Sequence, residues 1–265
     1  MKRARRRGVY LLPSLLTIGN LLCGVYAIVA AYNGEYTRSA AAILFALILD
    51  GLDGAVARLT SSQSDFGVQL DSLADLVSFG VAPAILAYAW AIKPFSQIGW
   101  LFGSIIPTAL YVASGAFRLA RFNVQTRSLD KRYFVGLPIP AAASVIASFI
   151  LFMGESPSLV LFQYELLPLR LTSALVVVMV YALSFLMVSR LRYRSLKGLE
   201  IRKRQPFALL IGLTLVVLVI AAQPSLLAFS FFTLYALSGV VRIIPVIRRR
   251  IPEPMEQATG SEGRP

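Results

Sequence analysis

Apolar residues in this chain are gathered into long runs separated by short polar stretches. Eight runs stand out, at about residues 11–31, 39–59, 67–92, 98–121, 138–154, 171–189, 206–222 and 225–247. A helix needs roughly 20 apolar residues to cross a hydrocarbon core of ~30 Å, and the runs meet or approach that length. The fifth is the shortest. The pattern predicts an all-α integral membrane protein of about eight transmembrane helices. The longest polar connections, 122–137, 155–170 and 190–205, are too short to fold as a separate domain. Residues 1–12 read as a basic, interfacial amino terminus, 13–250 as one transmembrane domain and 251–265 as a flexible tail rich in Pro and Gly. Pro206 and Pro224 each open a hydrophobic run, as expected for a helical hairpin near the carboxyl end. The first run is too long for the apolar core of a cleaved signal peptide.

Composition supports the membrane reading. The chain is 57% hydrophobic and 15% charged, against about 25% charged in soluble domains. Its net charge of +13 would suggest nucleic acid in a soluble protein, but the distribution argues otherwise. With the amino terminus cytoplasmic and eight spans threaded, 23 of the 26 Lys and Arg fall on the cytoplasmic side. Only Arg38, Lys93 and Arg170 fall opposite. That asymmetry predicts both termini cytoplasmic, and the basic surplus also suits anionic headgroups. No nucleic-acid-binding module is recognisable. Trp90 and Trp100, flanking the loop near 93–97, suit an interfacial aromatic belt.

The chain has one cysteine, Cys23, and no histidine. Histidine-based triads, proton shuttles and metal sites are thereby excluded, as is a disulfide within the chain. Acid–base or metal chemistry must come from carboxylates.

Four carboxylates lie inside hydrophobic segments: Asp50, Asp53, Asp71 and Asp75. The other nine acidic residues fall in loops or tails. An acid at membrane depth costs roughly 2.5–3.5 kcal/mol on insertion scales, so four together need a compensating partner. At ~100° per residue, Asp50 and Asp53 lie about 60° apart on one helix face, with Gly54 and Ala57 within about 40° of Asp50. Arg58 follows one turn nearer the cytosol. Gly67, Asp71 and Asp75 form one stripe of the next helix. The loop between the two is short, so the helices are antiparallel neighbours and the two aspartate pairs face each other. Converging carboxylates suit a hard divalent cation, Mg²⁺, Mn²⁺ or Ca²⁺, rather than zinc or copper. A neighbouring Arg would suit phosphate. Two other readings remain: aspartates paired with Arg58, Arg118 or Arg121 to hold helices together, or a proton or ion pathway. A pathway usually spreads its acids through the membrane depth; these four sit at one end.

The stretch from Asp50 to Asp75 resembles the signature of the CDP-alcohol phosphotransferase family. That signature is Asp, two residues, Asp-Gly, two residues, Ala-Arg, eight residues, Gly, three residues, Asp, three residues, Asp. Asp50, Asp53, Gly54, Ala57, Arg58, Gly67, Asp71 and Asp75 match every specified position. PSLLTIGNLLCG (13–24), DSLADLVSFGVAPA (71–84), FRLARFNV (117–124) and FVGLPIPAAA (134–143) resemble the phosphatidylserine synthase branch of that family. The resemblance runs from about residue 10 to 150.

The resemblance implies a six-helix family core plus two further helices, a homodimer, and a site facing the cytoplasm of the cell membrane. It implies transfer of the phosphatidyl group from CDP-diacylglycerol to the L-serine hydroxyl, with release of CMP. Asp50, Asp53, Asp71 and Asp75 would hold Mg²⁺ or Mn²⁺, as two ions, with Ca²⁺ another possible occupant. Asp75 would also take the acceptor proton. Gly54 and Ala57 would make room for the cytidine end beside Gly67, and Arg58 would contact its phosphate. Asn20 either reaches the nucleotide or bonds across helices. Arg118 and Arg121 either anchor the cytoplasmic end of the fourth span or bind the serine carboxylate or lipid phosphate. Ser78 either lines the pocket or bonds its own helix backbone. The Gly136–Pro140 turn is expected to set where the fifth span begins. The aspartates do not choose the acceptor: glycerol phosphate, inositol phosphate and choline remain alternatives, as does, outside the class, a cation transporter.

Overall fold

The computed structural model describes residues 2–60, 64–93, 105–125, 133–155, 159–161, 164–189, 191–194 and 224–241. Within them run seven helices: α1 (Lys2–Tyr32), α2 (Tyr36–Leu59), α3 (Asp65–Ile92), α4 (Ile106–Gln125), α5 (Ile139–Met153), α6 (Leu169–Val188) and α7 (Pro224–Val241). Two short antiparallel pairs accompany them: β1 (Tyr133–Val135) with β4 (Arg192–Arg194), and β2 (Leu159–Leu161) with β3 (Tyr164–Leu167). The first pair ties the segment before α5 to the end of α6. The expected span 206–222, Pro206, Trp100 and the tail after residue 250 lie outside the described residues.

Among the described residues, four segments are long and apolar enough to cross a membrane: Pro13–Tyr32, Tyr36–Leu59, Asp65–Ile92 and Leu169–Val188. Their outer faces carry large apolar side chains, and alanines recur on the inner faces of the first three. On α2, Phe45, Ile48 and Leu52 are exposed while Ala40, Ile43 and Ala46 are buried. Lipid tails are as apolar as Leu, so small residues bring such helices together through close backbone packing. The described residues are predominantly helical, and their long apolar helices are those of a multi-pass membrane protein.

The structure revises several boundaries. α1 passes without a break through Pro13, so residues 2–12 continue the first span's helix. α4 extends to Gln125, past the expected end at 121, and Asn123 in that extension donates to Ser72 Oγ of α3 at 2.9 Å. α5 is short because it is the central helix rather than a lipid-facing span. Eleven of its 15 residues are buried, and a helix enclosed by protein need not match the bilayer. Its start is set by the preceding turn. Gly136 has φ +84°, and a side chain there would meet the Arg121 guanidinium at 2.7 Å.

Trp90 is a correction. It is buried and donates its indole N–H to the Gly154 carbonyl at 3.1 Å, so it locks α3 to the end of α5 instead of facing the membrane interface. Beside it, the Glu155 carboxylate accepts from the Tyr36 and Thr37 backbone N–H groups at 2.9 and 3.1 Å. That places a negative charge at the positive end of α2.

α3 widens into π-helical turns at Leu76–Val81 and Tyr88–Ile92. Pro83 has no N–H to give the Phe79 carbonyl four residues earlier. The Tyr111 hydroxyl of α4 supplies a donor, at 3.3 Å. Both partners are fully buried, so Tyr111→Phe should destabilise the protein by about 1–3 kcal/mol. A thermal midpoint in detergent equal to wild type would show that this bond does not support α3.

Candidate active site

The site lies where the end of α2 meets the start of α3. Ser64 caps α3, its Oγ accepting from the Gly67 N–H at 3.0 Å. Fixing that helix start sets the rotation of Asp71 and Asp75, one and two turns further on. Asp50 and Asp53 come from the last turns of α2. One carboxylate oxygen each from Asp50, Asp53 and Asp71 lies within 4.8 Å of the others. At that separation each ionised pair repels by roughly 3.5 kcal/mol or more for an effective dielectric near 20.

Part of this charge is met by α1. Thr17 Oγ1 sits 2.9 Å from Asp53 Oδ2 and 3.0 Å from the Pro13 carbonyl. Asn20 Nδ2 donates to Asp75 Oδ1 at 3.4 Å, so Asn20 bonds across helices here. Ser78 does not bond its own helix. It donates to the Asn20 backbone carbonyl at 2.9 Å, because α1 and α3 touch at Gly24. A side chain at Gly24 would come within 2.7 Å of Ser78 Cα. The missing Cβ is what lets Asn20 reach Asp75.

Two buried oxygens are left over. Asp71 Oδ1 and Asn20 Oδ1 have no hydrogen-bond partner among the described residues. An orphaned carboxylate oxygen beside two further carboxylates is a donor set for a hard divalent cation, and the residues fit one. Asp75, although buried alongside, is outside the three-aspartate cluster.

The arginines separate into different tasks. Arg121 donates to the Val188 and Ser189 carbonyls at 3.1 and 3.4 Å, capping the exposed end of α6. Arg118, one turn earlier, is only 8% exposed and its Nε has no hydrogen-bond partner among the described residues. Its guanidinium lies 5.8 Å from the centre of the Phe122 ring and within electrostatic range of Asp75. Arg58 is exposed at the rim; its Nη1 stands 3.4 Å from where a Gly54 side chain would begin. Gly54 and Ala57 are half-buried beside it, and Gly67 is half-buried across the cluster on α3.

Thr17 escaped the sequence reading. Its signal was its place on the α1 face shared with Asn20 and Gly24, at spacings of three and four. Thr17→Val keeps the shape and removes the donor to Asp53. Partners that hold a metal ligand are worth about 10- to 100-fold in affinity. Mn²⁺ binding by calorimetry should therefore weaken by about tenfold or more; an unchanged isotherm would make Thr17 a packing residue.

The comparisons agree with this geometry. The family model for CDP-alcohol phosphatidyltransferase matches residues 10–186. A Helicobacter pylori protein named CDP-diacylglycerol–serine O-phosphatidyltransferase is 36% identical over 234 residues, 88% of this chain and 91% of the relative. A Bacillus subtilis protein of the same name is 34% identical over 189 residues, 70% of this chain and 91% of the relative. An archaetidylserine synthase from Methanothermobacter thermautotrophicus is 38% identical over 192 residues, 71% of each chain. With the matched segment spanning the whole aspartate cluster and the helices that hold it, the chain belongs to the CDP-alcohol phosphatidyltransferase family.

Proposed function

We propose that this protein is a CDP-diacylglycerol–serine O-phosphatidyltransferase. The observation that carries the reaction class is the cluster of Asp50, Asp53 and Asp71 carboxylates, with an orphaned Asp71 oxygen, beside a separately held Asp75. The serine acceptor rests on the similarity to relatives of that name over most of the chain.

Asp50, Asp53 and Asp71 would hold Mg²⁺ or Mn²⁺, with Asp75 adding to a second ion's ligands. Bound there, the metal supplies charge neutralisation for a pyrophosphate and for the charge that develops during in-line displacement. Arg58, at the rim, suits a phosphate of the nucleotide, and Gly54, Ala57 and Gly67 leave room for its approach. Asp75 is the base. With Oδ1 engaged by Asn20, Oδ2 takes the proton of the serine hydroxyl. The freed oxygen attacks the phosphatidyl phosphorus, a new P–O bond forms, and the bond to the departing CMP breaks.

The positive-inside count, 23 of 26 Lys and Arg on one side of an eight-span threading, supports a site at the cytoplasmic face of the cell membrane. Serine and CMP are soluble there, while the CDP-lipid lies in the adjoining leaflet. We read the protein as a homodimer in that membrane, as the family resemblance implies.

The test is an acceptor screen. Purified protein in detergent, given CDP-diacylglycerol and Mn²⁺ or Mg²⁺, should release CMP when L-serine is added. Release only with glycerol phosphate, inositol phosphate or choline would reassign the acceptor. No release with any of them, and cation flux in liposomes instead, would sink the enzyme reading.

A further inference from the structure

Asp75 is the last residue before a widened stretch of α3. From Leu76 to Val81 the helix takes π-helical turns, and the Ala82 N–H reaches back five residues to the Val77 carbonyl. Such a bond encloses one residue more than an α-helical bond, and each residue turns a helix by ~100°. The widened stretch therefore sets the direction of Asp71 and Asp75 relative to the far end of α3, which Trp90 fixes to the Gly154 carbonyl. Closing it to α-helical geometry would swing both carboxylates by about 100° round the axis.

Three groups keep this stretch open. Pro83 has no N–H with which to close an α-helical bond to the Phe79 carbonyl. Gly24 of α1 lets the stretch come close, so that Ser78 donates to the Asn20 carbonyl at 2.9 Å. Tyr111 of α4 donates its hydroxyl to the Phe79 carbonyl at 3.3 Å. These contacts form one path. It runs from Tyr111 to Phe79, to the adjoining Ser78, to Asn20, and from Asn20 Nδ2 to Asp75 Oδ1. All five residues are buried. Resting on the reading of Asp75 as the base, we propose that Tyr111 is a positioning residue for the transfer. Its hydroxyl acts through the Phe79 carbonyl. It holds α3 wide there, and the wide turn keeps Ser78 on Asn20 and Asn20 on Asp75. The aim of the base is thereby tied to α4, which packs on the widened stretch and carries Arg118.

Tyr111→Phe, Trp90→Phe and the double variant Tyr111→Phe/Pro83→Ala are compared with wild type in detergent, below every thermal midpoint. CDP-diacylglycerol and L-serine are varied at saturating Mn²⁺. Tyr111→Phe should lower kcat by about tenfold to a hundredfold, the scale of loss when a reacting group is misplaced by about 1 Å. The KM for L-serine and for CDP-diacylglycerol should not move. Trp90→Phe removes a buried bond at the other end of α3, and should lower the midpoint while leaving kcat unchanged. An equal fall in kcat there would overturn the positioning role, because any loosening of α3 would then have the same effect. Adding Pro83→Ala to Tyr111→Phe supplies an N–H four residues after Phe79. The double variant should recover midpoint but stay slow, because the turn closes. If kcat recovers as well, Tyr111 only satisfies a carbonyl and the proposal fails. The double variant also serves as the test if Tyr111→Phe alone does not fold. In an Asn20→Ala background the path is already cut, so Tyr111→Phe should lower kcat little further; a fully additive loss counts against the path. An unchanged kcat in Tyr111→Phe overturns the positioning role alone. A wild-type protein that releases CMP with no acceptor overturns Asp75 as the base and this role with it.

Discussion

Asp75→Asn is expected to lower CMP release by about a thousandfold, since a positioned base contributes roughly 10²–10⁴ in rate. The substitution is nearly isosteric. The new amide oxygen can still accept from Asn20 Nδ2, the bond that Asp75 Oδ1 makes at 3.4 Å. Ser78 and Gly24, which bring α1 against α3, are untouched. The protein should therefore insert, and melt at or above the wild-type midpoint, because one buried charge has been removed from a crowded acidic site. An amide cannot take up the acceptor proton, so turnover is lost while the fold stays. Retention of more than about a tenth of wild-type activity would remove Asp75 from the role of base.

Asp71→Asn separates the metal role from the proton role. In metal-free protein, the Asp50, Asp53 and Asp71 carboxylates have oxygens within 4.8 Å of one another. Neutralising one relieves repulsion, so the metal-free midpoint should rise. Adding Mn²⁺ reverses the order. A ligand that binds only the folded state stabilises by about 2.7 kcal/mol at 100 times its Kd, and wild type should gain that while Asp71→Asn gains little. The half-saturating Mn²⁺ for activity should move upward by about tenfold or more, since even the partners that orient a ligand are worth about 10- to 100-fold. Equal Mn²⁺ stabilisation of both proteins would mean that Asp71 is not a ligand. Chelation by EDTA should bring wild type down to its metal-free midpoint and abolish CMP release together.

The aspartate constellation was legible because its logic is local. Spacings of three and four fix which side chains share a helix face, and a short loop makes consecutive helices neighbours. Arg118 and Arg121 were not separable in the same way. They carry the same charge one turn apart. Only the position of the α6 carboxyl end, which captures Arg121 through the Val188 and Ser189 carbonyls, leaves Arg118 as the buried cation near Asp75. Ser78 was ambiguous for a similar reason: a buried hydroxyl bonds whichever carbonyl is nearest, and here that carbonyl belongs to Asn20 on another helix.

Trp90 shows the same limit in the apolar regions. Near the end of a hydrophobic run, a Trp facing lipid and a Trp facing protein look alike along the chain. Its direction was decided by α5, whose end offers the Gly154 carbonyl. α5 itself read as a short span, and only the surrounding helices explain its length by enclosing it.

The amino-acid order by itself therefore determined the membrane character, the approach of Asp50 and Asp53 to Asp71 and the chemistry open to a chain without histidine. Each depends on composition or on contacts within a few turns. The tertiary structure alone decided which groups from distant helices complete the site: Thr17 on Asp53 and Asn20 on Asp75. Those contacts join residues 36 and 55 positions apart. Helical periodicity gives the direction of a side chain about its own axis and carries no information about which other helix it will meet.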